Sequence, residues 1–98
     1  MSKWNPDQAL DCLGESSSIV NGDRRIEYGT PLDNHERTAK MWTAYLGARI
    51  SAEDVCMMNI LQKISRNAFK EKRDNIVDII GYAANYDLVK REREYRGE

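Results

Sequence analysis

The chain has little with which to cross-link itself, hold a structural metal or span a bilayer. Its 98 residues include two cysteines, Cys12 and Cys56, with no Cys-x-x-Cys spacing, and one histidine, His35. A structural zinc site takes four such ligands, and three do not complete one. No apolar run approaches the ~18 residues a membrane helix requires, and no signal-peptide pattern opens the chain. A basic surplus is missing too: 15 Lys and Arg stand against 16 Asp and Glu, a net charge of −1. Proteins that hold a duplex by its phosphates gain affinity with each charge neutralised, so the charge balance argues against nucleic acid as a partner. Reduced thiols and the lack of an export pattern point to the cytoplasm. There is no repeat and no low-complexity tract.

What is present reads as one helical domain, 1–98. Residues 1–20 form an N-terminal helical segment, with a short helix from about Asp7 and Ser16 to Ser18 able to cap a further turn. Residues 21–34 form a polar loop. It holds charges of both signs, Gly22, Gly29, Pro31 and Tyr28, with only two aliphatic residues to bury. Loops that carry such groups on a rigid scaffold are where binding and chemistry usually sit. Helices are expected over 34–47, 51–68 and 74–95. In the first, Thr38, Met41, Trp42, Tyr45 and Leu46 share the spacing of one buried face. The run Ser51-Ala52-Glu53-Asp54 has the form of a capping box for the second. In the last, Ile76, Val77, Ile79, Ile80, Ala83 and Ala84 make an apolar face wider than one helix contact needs, which predicts a homo-oligomer. Its charged end, with Asp87 to Arg91 and Glu92 to Arg96 at i, i+4, reads as a solvated tail. The architecture expected is an all-α bundle built on an antiparallel hairpin of two long helices.

Polar residues interrupt these helices at regular spacing. Asp74, Asp78 and Tyr82 recur at i, i+4, i+8, with Asn85 close by, and Asn59, Lys63 and Arg66 recur at i, i+4, i+7. Such stripes are either solvated faces with ordinary ion pairs or the walls of a pocket closed by the 21–34 loop. In the second case carboxylates across the bundle hold a divalent metal, while Arg and Lys engage phosphate oxygens. His35 reads as a partly exposed first-turn residue, Cys56 as packing, and Trp42 and Tyr45 as core.

The pattern Asn-Gly-Asp-Arg-x-x-x-Tyr-Gly-x-Pro-Leu-x-Asn at 21–34 resembles a phage and prophage family of small helical domains of unassigned function. Glu36-Arg37, Trp42-x-x-Tyr-Leu-Gly, Ile50-Ser-x-Glu-Asp-Val, Lys63-Ile-x-Arg and Arg73-Asp-Asn-x-Val-Asp-Ile-x-Gly-Tyr-Ala-Ala carry the same resemblance over about residues 19 to 86. That family is distantly similar to nucleotide-modification-associated domains and to the MazG-like all-α nucleoside triphosphate pyrophosphohydrolases. The resemblance implies a nucleotide or other phosphorylated small molecule as ligand and Mg²⁺ as cofactor. Glu53, Asp54, Asp74 and Asp78 would be the metal carboxylates, and Asp54, Asp74 and Asp78 the catalytic set, with Glu27 secondary. Asp23, Arg24, Tyr28, Asn59, Lys63, Arg66 and Tyr82 would hold the ligand. Met57 or Met58 stands where a partner carboxylate is expected, and Asn75 where another is. The set is therefore incomplete, and it suits binding better than pyrophosphohydrolysis. A nucleotide-sequestering protein and a small phage protein that binds a host partner are the other readings.

Overall fold

The computed structural model describes residues 9–21 and 27–98. Four helices lie among them: α1 (Ala9–Asn21), α2 (Pro31–Leu46), α3 (Ala52–Phe69) and α4 (Arg73–Arg96). The molecule is an all-α bundle. Helices α3 and α4 pair as an antiparallel hairpin, α1 packs on α4, and α2 packs across α3 and α4.

Local chemistry sets most of the helix ends. Ser51 caps α3, where the Asp54 N–H donates to Ser51 Oγ at 3.0 Å and the Ser51 N–H donates to Asp54 Oδ2 at 2.9 Å. Gly47 ends α2 with a φ of 69°, a left-handed position glycine adopts without strain. The turn between α3 and α4 is tied by Asn67, whose Oδ1 accepts from the Lys72 N–H and from the Asn75 carboxamide. The start of α2 differs from the expectation at Asp33 or Asn34. Thr30 is the N-cap, its hydroxyl accepting from the Asp33 N–H, and Pro31 occupies the first turn. Proline favours that position because its φ is already helical and its missing N–H would have no helical partner.

That shift changes what α2 buries. Pro31, Leu32, His35 and Ala39 are its buried residues, whereas Met41 is 65% and Tyr45 89% exposed. The helix is held by its N-terminal half, so the expected face around Met41, Tyr45 and Leu46 is not core. Among the described residues the main core cluster is Leu32, Ala52, Cys56 and Val89, with Tyr86 packed against it, and Val20, Ala39, Val55 and Val77 are buried as well.

The end of α4 does more than stand in solvent. The pairs Asp87–Arg91 and Glu92–Arg96 do form. Glu92 also accepts from the Thr30 hydroxyl at 2.6 Å and the Leu32 N–H at 3.1 Å, and Arg96 pairs with Asp33 at 2.8 Å. Arg93 grips both Glu53 oxygens at 2.6 and 2.7 Å. The tail thus binds the starts of α2 and α3, where free N–H groups and positive dipole ends favour carboxylates. Hydrogen bonds from Arg93 hold the Glu53 carboxyl below its ordinary value of 4.5. A depressed carboxylate contributes stability above its unfolded pKa and loses it as pH falls through the folded one. Urea titrations across pH 3 to 6 are therefore expected to show stability declining below about 4.5, with a shallower decline in Glu53→Gln. Equal slopes would mean that the Arg93 pair contributes nothing.

At the other side of α4, Gly81 lets α1 approach closely. A Cβ built there would lie 3.2 Å from Ser16 Oγ and 3.6 Å from Val20 Cγ2. Gly81→Val should overpack this contact at a cost of about 1–3 kcal/mol. Limited proteolysis should then cut α1 faster than in the wild type, and an unchanged cleavage rate would contradict the contact.

Candidate binding cavity

A cavity of about 220 Å³ lies where α2, α3 and α4 meet the end of α1. Each helix supplies it by simple periodicity. Asn34, His35 and Thr38 come from one side of α2, Val55 and Asn59 from α3, Tyr82 and Asn85 from α4. Val20 and Gly29 stand on either side of segment 22–26, and both line the cavity. The walls are apolar at Val20, Pro31 and Val55 and polar at Asn34, His35, Thr38, Asn59, Tyr82 and Asn85, with no Asp, Glu, Lys or Arg among the described lining residues.

The polar groups are unusual in what they do not bond. The side chains of Asn34, Asn59, Tyr82 and Asn85 have no hydrogen-bond partner among the described residues. Thr38 donates to the Asn34 carbonyl at 3.2 Å, which leaves its oxygen able to accept. His35, expected to be partly exposed, is 5% exposed and packed under the first turn of α2. Its Nδ1 lies 2.7 Å from the Pro31 carbonyl. A carbonyl only accepts, so Nδ1 carries the proton, and in the neutral ring Nε2 is left as an acceptor.

A second chamber of about 20 Å³ adjoins the first, sharing Val20, Tyr82 and Asn85 and adding Ser16, Val77, Asp78 and Gly81. Ser16 Oγ is the one sealed side-chain polar atom among the described residues that lacks a partner. At its edge Asp78 pairs with Lys63 at 2.7 Å.

The residues singled out in the sequence are distributed unevenly around this site. Asn59 and Tyr82 line the cavity, Asp78 lines the adjoining chamber, and Lys63 is bound to Asp78. Arg66 is exposed, two turns along α3 from Asn59. Tyr28 is half exposed and not among the lining residues, Glu27 is exposed, and Asp23 and Arg24 lie outside the described residues. The metal carboxylates are not gathered. Glu53 is taken by Arg93, and Asp54 serves the capping box, its carboxyl held below the usual range by the Ser51 N–H. Asp74 is exposed at the start of α4. With a rise of ~1.5 Å per residue along α3, Asp54 and Asp74 sit ~20 Å apart at opposite ends of the hairpin. No group of three or more His, Cys, Asp or Glu side chains is placed to hold a metal ion among the described residues. Cys56 is no nucleophile either, since burial pushes its thiol up to about 12.

Asn34, His35, Thr38 and Asn85 complete the cavity. Of these, Asn85 was legible beside Tyr82, and the i, i+4 pair Asn34/Thr38 was a signal on α2 that only gains meaning once the helix starts at Pro31.

Fold and cavity together define a small all-α bundle with a polar internal site. Its family can be stated more closely: the model described as Domain of unknown function (DUF6378) matches residues 11–90, and the chain belongs to that family. It is similar to the Gene 55 protein of Mycobacterium phage L5, 44% identical over 91 residues, covering 89% of this chain and 57% of that protein. The Gene 55 protein of Mycobacterium phage D29 is 33% identical over 81 residues, covering 82% of this chain and 54% of that one. The chain thus spans little more than half the length of these relatives. No solved structure matches it. Among the described residues no helix is long and apolar enough to cross a membrane.

Proposed function

We propose that this phage-type protein binds a nucleotide in the cavity between α2, α3 and α4, and that it retains the ligand without hydrolysing it. One observation carries the reading: four polar side chains from three helices converge on the cavity with no partner among the described residues. These side chains are part-buried, so their polar atoms are open to a ligand or to water entering the cavity. Arg66, exposed two turns along α3 from Asn59, offers a cation to phosphates that extend from the cavity. The MazG-like resemblance supports the ligand class. It does not carry the hydrolase activity over, because Glu53, Asp54, Asp74 and Asp78 do not fit a Mg²⁺ site as they stand.

Thermal-shift titration with ribo- and deoxyribonucleotides, with and without Mg²⁺, tests this. Stabilisation that is independent of Mg²⁺ and unaccompanied by pyrophosphate release is the expected result. Arg66→Ala is expected to weaken nucleotide binding about five- to tenfold, the loss of one charge-assisted contact. Release of pyrophosphate would restore the hydrolase reading, and no stabilisation by any nucleotide would remove both.

The partner reading includes a second copy of the chain. Met57, Leu61 and Ile64 recur at i, i+4, i+7 on α3 and are 50%, 62% and 50% exposed. Ile76, 44% exposed, begins a similar stripe on α4 with Ile79 and Ala83. Neither stripe contains a charge. Two such hairpins related by a two-fold axis would form a four-helix layer in which apolar stripes face each other. The small core of the protomer favours this occupant, because small domains commonly gain stability by association.

A further inference from the structure

We infer that the cavity receives the uncharged heterocyclic base of the ligand, read by Asn34, Asn59 and Asn85, and that the phosphates remain outside it. The inference rests on the nucleotide reading and says which end of the ligand is buried. Size decides first. Sites that enclose a whole drug-sized ligand run to roughly 300–1,000 Å³, and this one is about 220 Å³. It has room for a base or a compact nucleoside but not for a whole nucleoside triphosphate.

Charge decides next. No described lining residue is a Lys or Arg, and Lys63, one turn along α3 from Asn59, is already held by Asp78 at 2.7 Å. A phosphate here would be stripped of water without a counter-charge, which is strongly unfavourable. An uncharged ring meets no such cost. Its faces can lie against Val20, Pro31 and Val55, while its edge meets the carboxamides. A carboxamide presents a donor and an acceptor side by side, which matches the paired groups on a base edge.

His35 adds a fixed polarity. With Nδ1–H committed to the Pro31 carbonyl, its Nε2 accepts, so it favours a ring N–H or exocyclic amino group over a phosphate oxygen. The inner chamber supplies an independent sign that the site is unfinished. Its volume of about 20 Å³ suits a single water, which needs ~10–15 Å³, or one exocyclic atom, and the sealed Ser16 hydroxyl awaits a partner there.

Calorimetry on the intact chain separates the two ends of the ligand. The probes are adenosine, guanosine, cytidine, uridine and thymidine on one side, and ribose 5-phosphate and inorganic pyrophosphate on the other. The expected result is that at least one nucleoside binds and that neither phosphate probe does so more tightly. Asn59→Leu should then weaken that nucleoside by about tenfold or more, since a truncated partner leaves a buried polar edge unmatched. In wild-type protein, nuclear Overhauser contacts should run from base protons to the Asn59 and Asn85 side-chain amides, a readout that survives any folding defect of the variant. Binding of ribose 5-phosphate or pyrophosphate with no nucleoside bound, or Overhauser contacts confined to the sugar, would overturn the inference and leave nucleotide binding standing. Failure of nucleosides and nucleotides alike would overturn both.

Discussion

Leu32→Ala is expected to lower the free energy of unfolding by about 2–5 kcal/mol, the range for truncating a fully buried leucine. Leu32 is 0% exposed and packs with Ala52, Cys56, Val89 and Tyr86, which together join the starts of α2 and α3 to the end of α4. Removing its branched end leaves a cavity that three helix ends, tied by Glu92, Arg93 and Arg96, cannot readily collapse to fill. Domains of this size are stable by only ~5–15 kcal/mol, so the variant should lose a large part of that margin. Urea denaturation followed by circular dichroism measures it. A loss below 1 kcal/mol would mean that the core lies elsewhere, in an interface for instance.

The second large effect concerns that interface. Light scattering after size exclusion should return twice the chain mass for the wild type and the single chain mass for Leu61→Glu. Leu61 is 62% exposed in the protomer, so a charge there costs the isolated fold little. In a paired four-helix layer the same charge would be buried opposite apolar side chains, which is expensive. The variant should therefore dissociate and stay helical. A monomeric wild type would remove the second copy as occupant of the Met57–Leu61–Ile64 face, and an undissociated Leu61→Glu would move the interface away from it.

Much of the fold was legible because its signals are local. The Ser51/Asp54 box and Gly47 marked helix ends by groups within four residues of each other, and those bonds form. The hairpin followed from two long helical patterns joined by a short polar turn. The candidate site was legible only in part. Asn59 and Tyr82 were singled out and do line the cavity. His35, in contrast, reads in the sequence as a partly exposed first-turn residue: Thr30 and Pro31 can mark a helix start at 31, but nothing local says that packing presses that turn onto the hairpin. Glu53 and Asp54 looked available as ligands for the same kind of reason. Their partners are Arg93, 40 residues away, and a cap whose second bond consumes the carboxylate.

By itself, the sequence determined an all-α chain, the approximate helix limits and the polar stripes on α3 and α4, because helix periodicity and capping act over a few residues. Tertiary structure alone decided which stripe residues meet and which carboxylates are already engaged. It also decided that the charged end of α4 fastens two helix starts. Those outcomes depend on how α2 crosses the hairpin, and that is set by the burial of Leu32 and by ion pairs between residues about 40 to 60 apart. Periodicity says which way a side chain points on its own helix. What it then meets is settled when the helices pack.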